Sequence, residues 1–220
     1  MNNMDHQLAR HNMVVQQIRP CKVNDLELLD LLESVPRESF VPADCEGLAF
    51  ADTEIPLGYG QHMMKPLVEA NMLQALNVQP TETVLEIGTG SGFMTAMLAK
   101  SARHVHSIEI CPELSAAAAH NLEQLGIVNV SLEVGDACTG WDVHAPYDVI
   151  AVTASVPLLE ERFQHCLKVG GRLFVIIGEA PVMEAVLITR LSENEWQHES
   201  LFETDVDPLQ NAPTPQHFEF

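Results

Sequence analysis

The sequence predicts an α/β protein built on a doubly wound, mostly parallel seven-stranded sheet, with helices at its N-terminus and an antiparallel hairpin at its C-terminus. Three observations predict it. From residue 84 onward, short runs rich in Val, Ile and Leu alternate with helical segments, the pattern of a parallel sheet covered on both faces. The first of these runs leads into a turn with glycines at 88, 90 and 92. The chain then changes character, and two strand-like runs, 185–191 and 196–203, flank the polar turn Ser192-Glu193-Asn194-Glu195. At 220 residues and 46 % hydrophobic content the chain is long and apolar enough to bury a full core.

Residues 5–18 read as an amphipathic helix that offers Leu8, Met13, Val14, Val15 and Ile18 for burial and is ended by Pro20. Asn24 with Glu27 three residues later resembles a capping box, followed by a Leu-rich helix to residue 34. Pro36 and Pro42 break residues 35–42, and 43–65 read as loop, with Gly47, Pro56, Gly58 and Gly60; a loop of that length is more often functional than idle. Pro66 opens a helix that Leu67, Val68, Ala70, Met72, Leu73 and Leu76 carry to residue 77. The repeating units follow: strand 84–87 and helix 93–100, strand 105–109 and helix 113–125, strand 128–134, then strand 148–152, helix 156–167 and strand 172–177. Gly126 stops the second of these helices, and Gly170-Gly171 reads as a tight turn before the last strand. Residues 207–220 hold three prolines and predict no regular structure.

Charge narrows the partners. Thirty-one acidic residues against eleven basic ones give a formal charge of −20, with no Lys/Arg stripe to release counterions from a phosphate backbone. Nucleic acid and anionic membrane surfaces are therefore excluded as partners by expectation. No apolar run approaches the roughly 20 residues of a membrane span, and the polar first ten residues lack a secretory core, so a cytoplasmic location is expected. Cys21, Cys45, Cys111, Cys138 and Cys166 are scattered and read as reduced thiols rather than a zinc site. His104 and His106 alternate onto one strand face, but no third residue stands at ligand spacing, so no metal is expected.

The chemistry concentrates on Glu86-Ile87-Gly88-Thr89-Gly90-Ser91-Gly92. Glycines there let a ligand approach the backbone at the carboxyl end of a strand, where ligands of parallel sheets bind. A dinucleotide fingerprint would place its third glycine at 93, which is Phe; here it arrives one residue early. The carboxylate of Glu86 would repel a pyrophosphate and suits a sulfonium and an ammonium. Spacing and charge together imply S-adenosyl-L-methionine, and hence a methyltransferase. Glu109, 21 residues beyond Gly88, is placed to accept both ribose hydroxyls. Gly135-Asp136-Ala137 ends the third strand, with Asp136 facing the adenine amino group and the Ala137 N–H a ring nitrogen. Ile110 and Thr153, at the ends of the second and fourth strands, complete the expected cofactor set.

These pieces resemble the protein-L-isoaspartate O-methyltransferase family over roughly residues 35–178. The likeness is carried by Arg37-Glu38-Ser39-Phe40-Val41-Pro42, Ala49-Phe50-Ala51-Asp52, Leu57-Gly58-Tyr59-Gly60-Gln61, residues 84–99, Ser107-Ile108-Glu109, Gly135-Asp136-Ala137, Gly140-Trp141, Ala145-Pro146-Tyr147-Asp148 and Leu167-Lys168-Val169-Gly170-Gly171-Arg172-Leu173. The resemblance implies a Rossmann-like methyltransferase core at 66–206, N-terminal helices and a substrate loop at 1–65, and a tail at 207–220. It implies a protein or peptide carboxylate, or a related small molecule, as acceptor, and Asp52, Gln61, His62, Met63, Met64 and Lys65 as the loop that meets it. One departure stands out: the family reads T-I-S after its Gly-Gln pair, whereas this chain reads His62-Met63-Met64. The serine implied to hold the substrate falls on Met64, whose thioether donates no hydrogen bond. The family's C-terminal V-R-F-V-P-L is also replaced, by Leu201-Phe202-Glu203-Thr204. A carboxylate, with a reference pKa of about 4, is ionised near neutrality and needs no general base, in keeping with the lack of an evident catalytic dyad. Base N-methylation is disfavoured, since Val152-Thr153-Ala154-Ser155-Val156-Pro157 stands where such enzymes carry D/N-P-P-Y. The alternatives are a different acceptor shaped by Met64, or a cofactor-binding protein without turnover.

Overall fold

A computed structural model of the chain describes residues 3–215. Helix α1 (Asn3–Asn12) runs into a π-helical segment, Met13–Ile18, and a 3-10 turn, Arg19–Cys21. Met13, Val14 and Ile18 are buried as expected, but Leu8 and Val15 are exposed. Helix α2 (Leu26–Ser34) is capped by Asp25 rather than Asn24: the Asp25 Oδ1 accepts from the backbone N–H groups of Glu27 at 2.9 Å and Leu28 at 3.2 Å. After the 3-10 turns Arg37–Phe40 and Ala43–Leu48, the region expected as loop holds a two-stranded antiparallel ribbon, β1 (Ile55–Gly58) and β2 (Gln61–Met63). Its strands are too short, and one is interrupted by Pro56, to show a periodicity of two. Helix α3 (Pro66–Leu76) follows.

The main sheet contains β3 (Thr83–Ile87), β4 (His104–Glu109), β5 (Val130–Val134), β6 (Tyr147–Val156), β7 (Leu167–Glu179), β8 (Val182–Ser192) and β9 (Glu195–Thr204), in the order β5-β4-β3-β6-β7-β8-β9. The first five are mutually parallel, and β8 and β9 add antiparallel strands at one edge. Helices α4 (Phe93–Ser101) and α5 (Pro112–Gln124) match expectation closely, whereas α6 spans only Glu161–His165. Strand β6 is the central strand of the sheet and extends to Val156, where a helix was expected to begin. Strand β7 likewise starts at Leu167 and carries Gly170 and Gly171 within it.

Alternation along the strands divides the interior. Val84, Val105, Val149 and Phe174 face one cluster, shared with Met13, Ile18, Leu29, Leu32, Met72 and Met97. Leu85, Ile108, Ile150 and Leu173 face the other, with Tyr147 and Phe163. The N-terminal segments thus pack into the same core as the sheet, and the chain order around β3 reverses: β4 lies on one side and β6 on the other. That reversal opens a crevice at the carboxyl ends of β3 and its neighbours. Among the described residues, no helix is long and apolar enough to cross a membrane, and all five cysteines are unpaired.

Candidate active site

The crevice is a cleft of about 730 Å³, open to solvent. Gly88, Gly90, Glu109, Ile110, Gly135, Asp136, Ala137 and Thr153 all line it, so residues from four strand ends converge as expected. Thr89 and Ser91 instead line an adjoining hollow of about 280 Å³, and Gly92 lines neither. Gly88 leaves β3 with φ +94°, and its N–H donates to the Ile108 carbonyl at 2.9 Å. A Cβ there would stand 2.4 Å from the Thr153 Oγ1, which donates toward the carbonyls of Ile87 (3.0 Å) and Gly88 (2.6 Å). Gly92, at φ +85°, starts α4 where a Cβ would come within 3.1 Å of Ala118 on α5. Both positions therefore exclude a side chain for conformational and steric reasons together.

Glu109 is 4 % exposed; its Oε2 accepts the Gly90 N–H at 2.8 Å and its Oε1 the Cys111 N–H at 3.0 Å. The carboxylate is fixed by two backbone donors and keeps lone pairs for a ligand in the cleft. Asp136 is oriented by the Cys138 N–H at 3.0 Å and the Asn211 side-chain amide at 2.8 Å. Partial burial pushes its pKa up, but these hydrogen bonds outweigh burial and hold it below the usual carboxylate range.

Glu86 departs from the expectation that its carboxylate faces the cleft. Alternation turns it to the α4 side of β3, where it is fully buried and accepts from the Thr95 and Ser107 hydroxyls, each at 2.5 Å. Thr89 Oγ1 lies 2.6 Å from the Ser107 hydroxyl, so the acid braces the glycine turn from behind through two hydroxyls. Burial raises the Glu86 pKa to about 8, against the pull of Ser107 and Thr95.

On the opposite wall, Gln61, His62 and Met64 line the cleft, and Met63 lines the adjoining hollow. Asp52 and Lys65 line neither: the Asp52 Oδ1 accepts the Leu67 N–H at 3.2 Å, and Lys65 stands 3.9 Å from Glu54. Asp52 thereby supplies the cap that α3 lacks from its own N-cap residue, Lys65. Arg37 is the residue that sequence reasoning missed here. It is fully buried, donates to the carbonyls of Ala49 (2.9 Å) and Met64 (2.8 Å), pairs with Glu69, and lies 4.8 Å from the centre of the Phe93 ring. One guanidinium thus ties Met64 to α3 and to the start of α4. Burial lowers the Arg37 pKa and raises that of Glu69 to about 7, each opposed by its partner. The available signal was Glu69, an acid set within the apolar face of α3.

The tail contributes as well. Residues 207–215 form no helix or strand, as expected, but 207–211 are anchored along the end of β6: the Ser155 N–H donates to the Asp207 carbonyl at 2.9 Å, and the Leu209 N–H to the Ser155 carbonyl at 2.8 Å. Val206, Asp207, Leu209 and Gln210 close one side of the cleft, and Asp207 Oδ2 lies 2.5 Å from His62 Nδ1. The part of the tail at 216–220 lies outside the described residues. Elsewhere, His106 meets Glu133 and His144, partners that spacing along the chain did not reveal.

A parallel sheet with its switch point at β3, a glycine turn without room for side chains, and an acid held at the end of β4 define the class I S-adenosyl-L-methionine-dependent methyltransferases. The residues present fit that cofactor, since Glu109 keeps free lone pairs at the cleft wall and Gly88 leaves its backbone bare. The family model for protein-L-isoaspartate(D-aspartate) O-methyltransferase matches residues 9–210, and the chain belongs to this family. It is 39 % identical over 201 residues to protein-L-isoaspartate O-methyltransferase 2 of Marinobacter nauticus, covering 91 % of this chain and 92 % of the relative. A protein-L-isoaspartate O-methyltransferase of Syntrophus aciditrophicus is 40 % identical over 197 residues, with 89 % and 90 % covered. A solved protein-L-isoaspartate O-methyltransferase superposes with a TM-score of 0.77 at 24 % identity, over 90 % of this chain and 65 % of that one. A Plasmodium falciparum structure described as PCMT, in complex with S-adenosyl-L-homocysteine, gives 0.79 at 20 % identity, over 96 % and 99 %.

Proposed function

We propose that this enzyme transfers methyl from S-adenosyl-L-methionine to the free carboxylate of isoaspartyl residues in proteins or peptides, or to a closely related carboxylate. The observation that carries the reading is that His62 and Met64 of the acceptor loop line the same cleft as Gly88, Gly90 and Glu109. In this reading Glu109 accepts the ribose hydroxyls, Asp136 and the Ala137 N–H meet the adenine, and Ile110 and Thr153 shape the floor. Gly88 to Gly92 receive the methionine portion, with Thr89 and Ser91 facing the acceptor side and Glu86 bracing the turn. Residues 1–65 supply the acceptor wall, 66–206 the donor site, and 207–211 a strap beside it. The cofactor supplies an electrophilic methyl group; the protein orients the acceptor in line and excludes water. With no general base required, Met64 contributes packing, and the Arg37-held backbone sets its position. Five unpaired cysteines favour the reducing cytoplasm.

The test is a labelled-methyl assay on paired isoaspartyl and aspartyl peptides. Ester formation on the isoaspartyl member alone is expected; background counts on both would refute the acceptor assignment. Met64→Ser should increase that activity if a donor at position 64 improves the hold on the carboxylate.

A second reading has its own support. His62 Nδ1 is held by Asp207, which leaves Nε2 without a protein partner among the described hydrogen bonds. An imidazole oriented by a carboxylate is a general base, and a hydroxyl or amine acceptor would need one. Its proton would pass to His62 Nε2 as the methyl carbon leaves sulfur for the acceptor atom. His62→Gln should then abolish transfer to such an acceptor and lower transfer to a carboxylate, which needs no base, far less.

A further inference from the structure

We infer that His106, Glu133 and His144 form a site for one divalent transition-metal cation of the zinc type, separate from the methyl-donor cleft. The three side chains offer ligand atoms that all lie within 4.8 Å of one another, and none of the three lines the cleft. His106 lies on β4 and Glu133 on the neighbouring β5, in a ladder that pairs His106 with Ser131 and Ile108 with Glu133. Two rigid strands therefore fix two of the ligands. His144 comes from the segment between β5 and β6, and its ring stacks on that of His106, with centroids 4.2 Å apart and planes 20° apart. Both imidazoles turn a nitrogen toward the same carboxylate oxygen: His144 Nε2 is 2.9 Å from Glu133 Oε1, and His106 Nδ1 is 3.9 Å from it.

That second distance is too long for a hydrogen bond, and His106 Nδ1 is buried with no hydrogen-bond partner among the described residues. A buried polar atom without a partner needs an explanation, and a bound ion is one. A cation about 2.0–2.2 Å from each donor would satisfy this nitrogen once the stacked His106 and His144 rings rotate about their side-chain torsions to aim both in-plane lone pairs at one point. Two imidazole nitrogens and one carboxylate oxygen form a donor set of zinc and its neighbours; calcium and magnesium prefer oxygen. Three protein ligands leave a coordination position for water, and His144 and Glu133 are partly exposed, which gives an entry path. The adjacent His104 is occupied, at 2.9 Å from the Ser131 hydroxyl, and completes no part of the set. The formal charge of −20 favours a cation over any anionic occupant. Bound there, the ion would tie the 135–146 segment, which begins with the cleft residues Gly135, Asp136 and Ala137, to the β4–β5 ladder.

The experiment is isothermal titration of the metal-stripped full chain with zinc chloride, repeated on His144→Ala, Glu133→Gln and the control His104→Ala. Thermal melts without metal establish that each variant is folded; His144 is at the surface, so its removal leaves the core intact. One zinc per chain is expected, weakened at least tenfold in His144→Ala and Glu133→Gln and unchanged in His104→Ala. Zinc binding of equal strength in the wild type and both ligand variants would overturn the site, as it would place the metal on other side chains. No zinc binding by the wild type would overturn it equally. Neither outcome depends on which carboxylate the enzyme methylates.

Discussion

Replacing Gly88 by Ala tests whether the glycine turn is fixed by its contact with Thr153 or only by backbone conformation. At φ +94° an alanine loses about 1–2 kcal/mol relative to glycine. Its Cβ would also stand 2.4 Å from Thr153 Oγ1, so the hydroxyl must rotate away from the Ile87 and Gly88 carbonyls. Losing that hydrogen bond costs about 1 kcal/mol more. Gly88→Ala should therefore destabilise the protein by about 2–3 kcal/mol, and Thr153→Ala alone by about 1 kcal/mol. In the Thr153→Ala background the hydroxyl is already gone, so Gly88→Ala adds only its backbone strain of about 1–2 kcal/mol. The double-mutant cycle should show a coupling of about 1 kcal/mol, read from urea unfolding of the four proteins. Simple additivity, within about 0.5 kcal/mol, would refute the steric account and leave backbone strain as the only reason for glycine.

Three further outcomes are expected. Arg37→Met strands Glu69 in the core and should cost about 3–5 kcal/mol at pH 8 by urea unfolding, with most of it recovered in Arg37→Met/Glu69→Met; the loss should shrink at pH 5, where Glu69, already raised to about 7, is protonated. Glu109→Gln turns an amide NH₂ toward a backbone N–H at Gly90 or Cys111 and should weaken S-adenosyl-L-methionine binding about 10- to 150-fold by calorimetry, from the roughly 1.5–3 kcal/mol of a charged hydrogen bond. Glu86 titrates near 4.5 in the unfolded chain and at about 8 when folded, so folding takes up a proton between those values. Its contribution to stability is present below pH 4.5 and lost as pH rises toward 8, with a slope of up to about 1.4 kcal/mol per pH unit. Glu86→Gln should flatten the fall in stability between pH 5.5 and 7.5; an unchanged slope would show that Glu86 is ionised in the folded protein.

Local chemistry alone determined much of this protein. Periodicity and turn residues located the βα repeats, the closing hairpin and α3, because these depend on neighbours two to four residues away. The spacing of Gly88, Gly90 and Gly92, with Glu109 and Asp136 at later strand ends, pointed to the cleft because a parallel sheet gathers its carboxyl ends on one side. Length was less legible where burial on both faces removed the alternation: the strand expected at 148–152 runs on to Val156, where a helix was expected to begin.

Contacts across long stretches of chain were decided by tertiary structure. Glu86 was correctly seen as an acid at the turn, but which face of β3 it occupies depends on where α4 packs, and that turned it away from the cleft. Arg37 reaches Met64 and Glu69 across 27 and 32 residues, and Asp207 reaches His62 across 145. His144 stacks on His106 only because the segment before β6 folds back over β4. A sequence displays the donors and acceptors of such pairs but not their partners. Their pairing follows from the packing of whole elements, whose burial outweighs the preference of any single side chain.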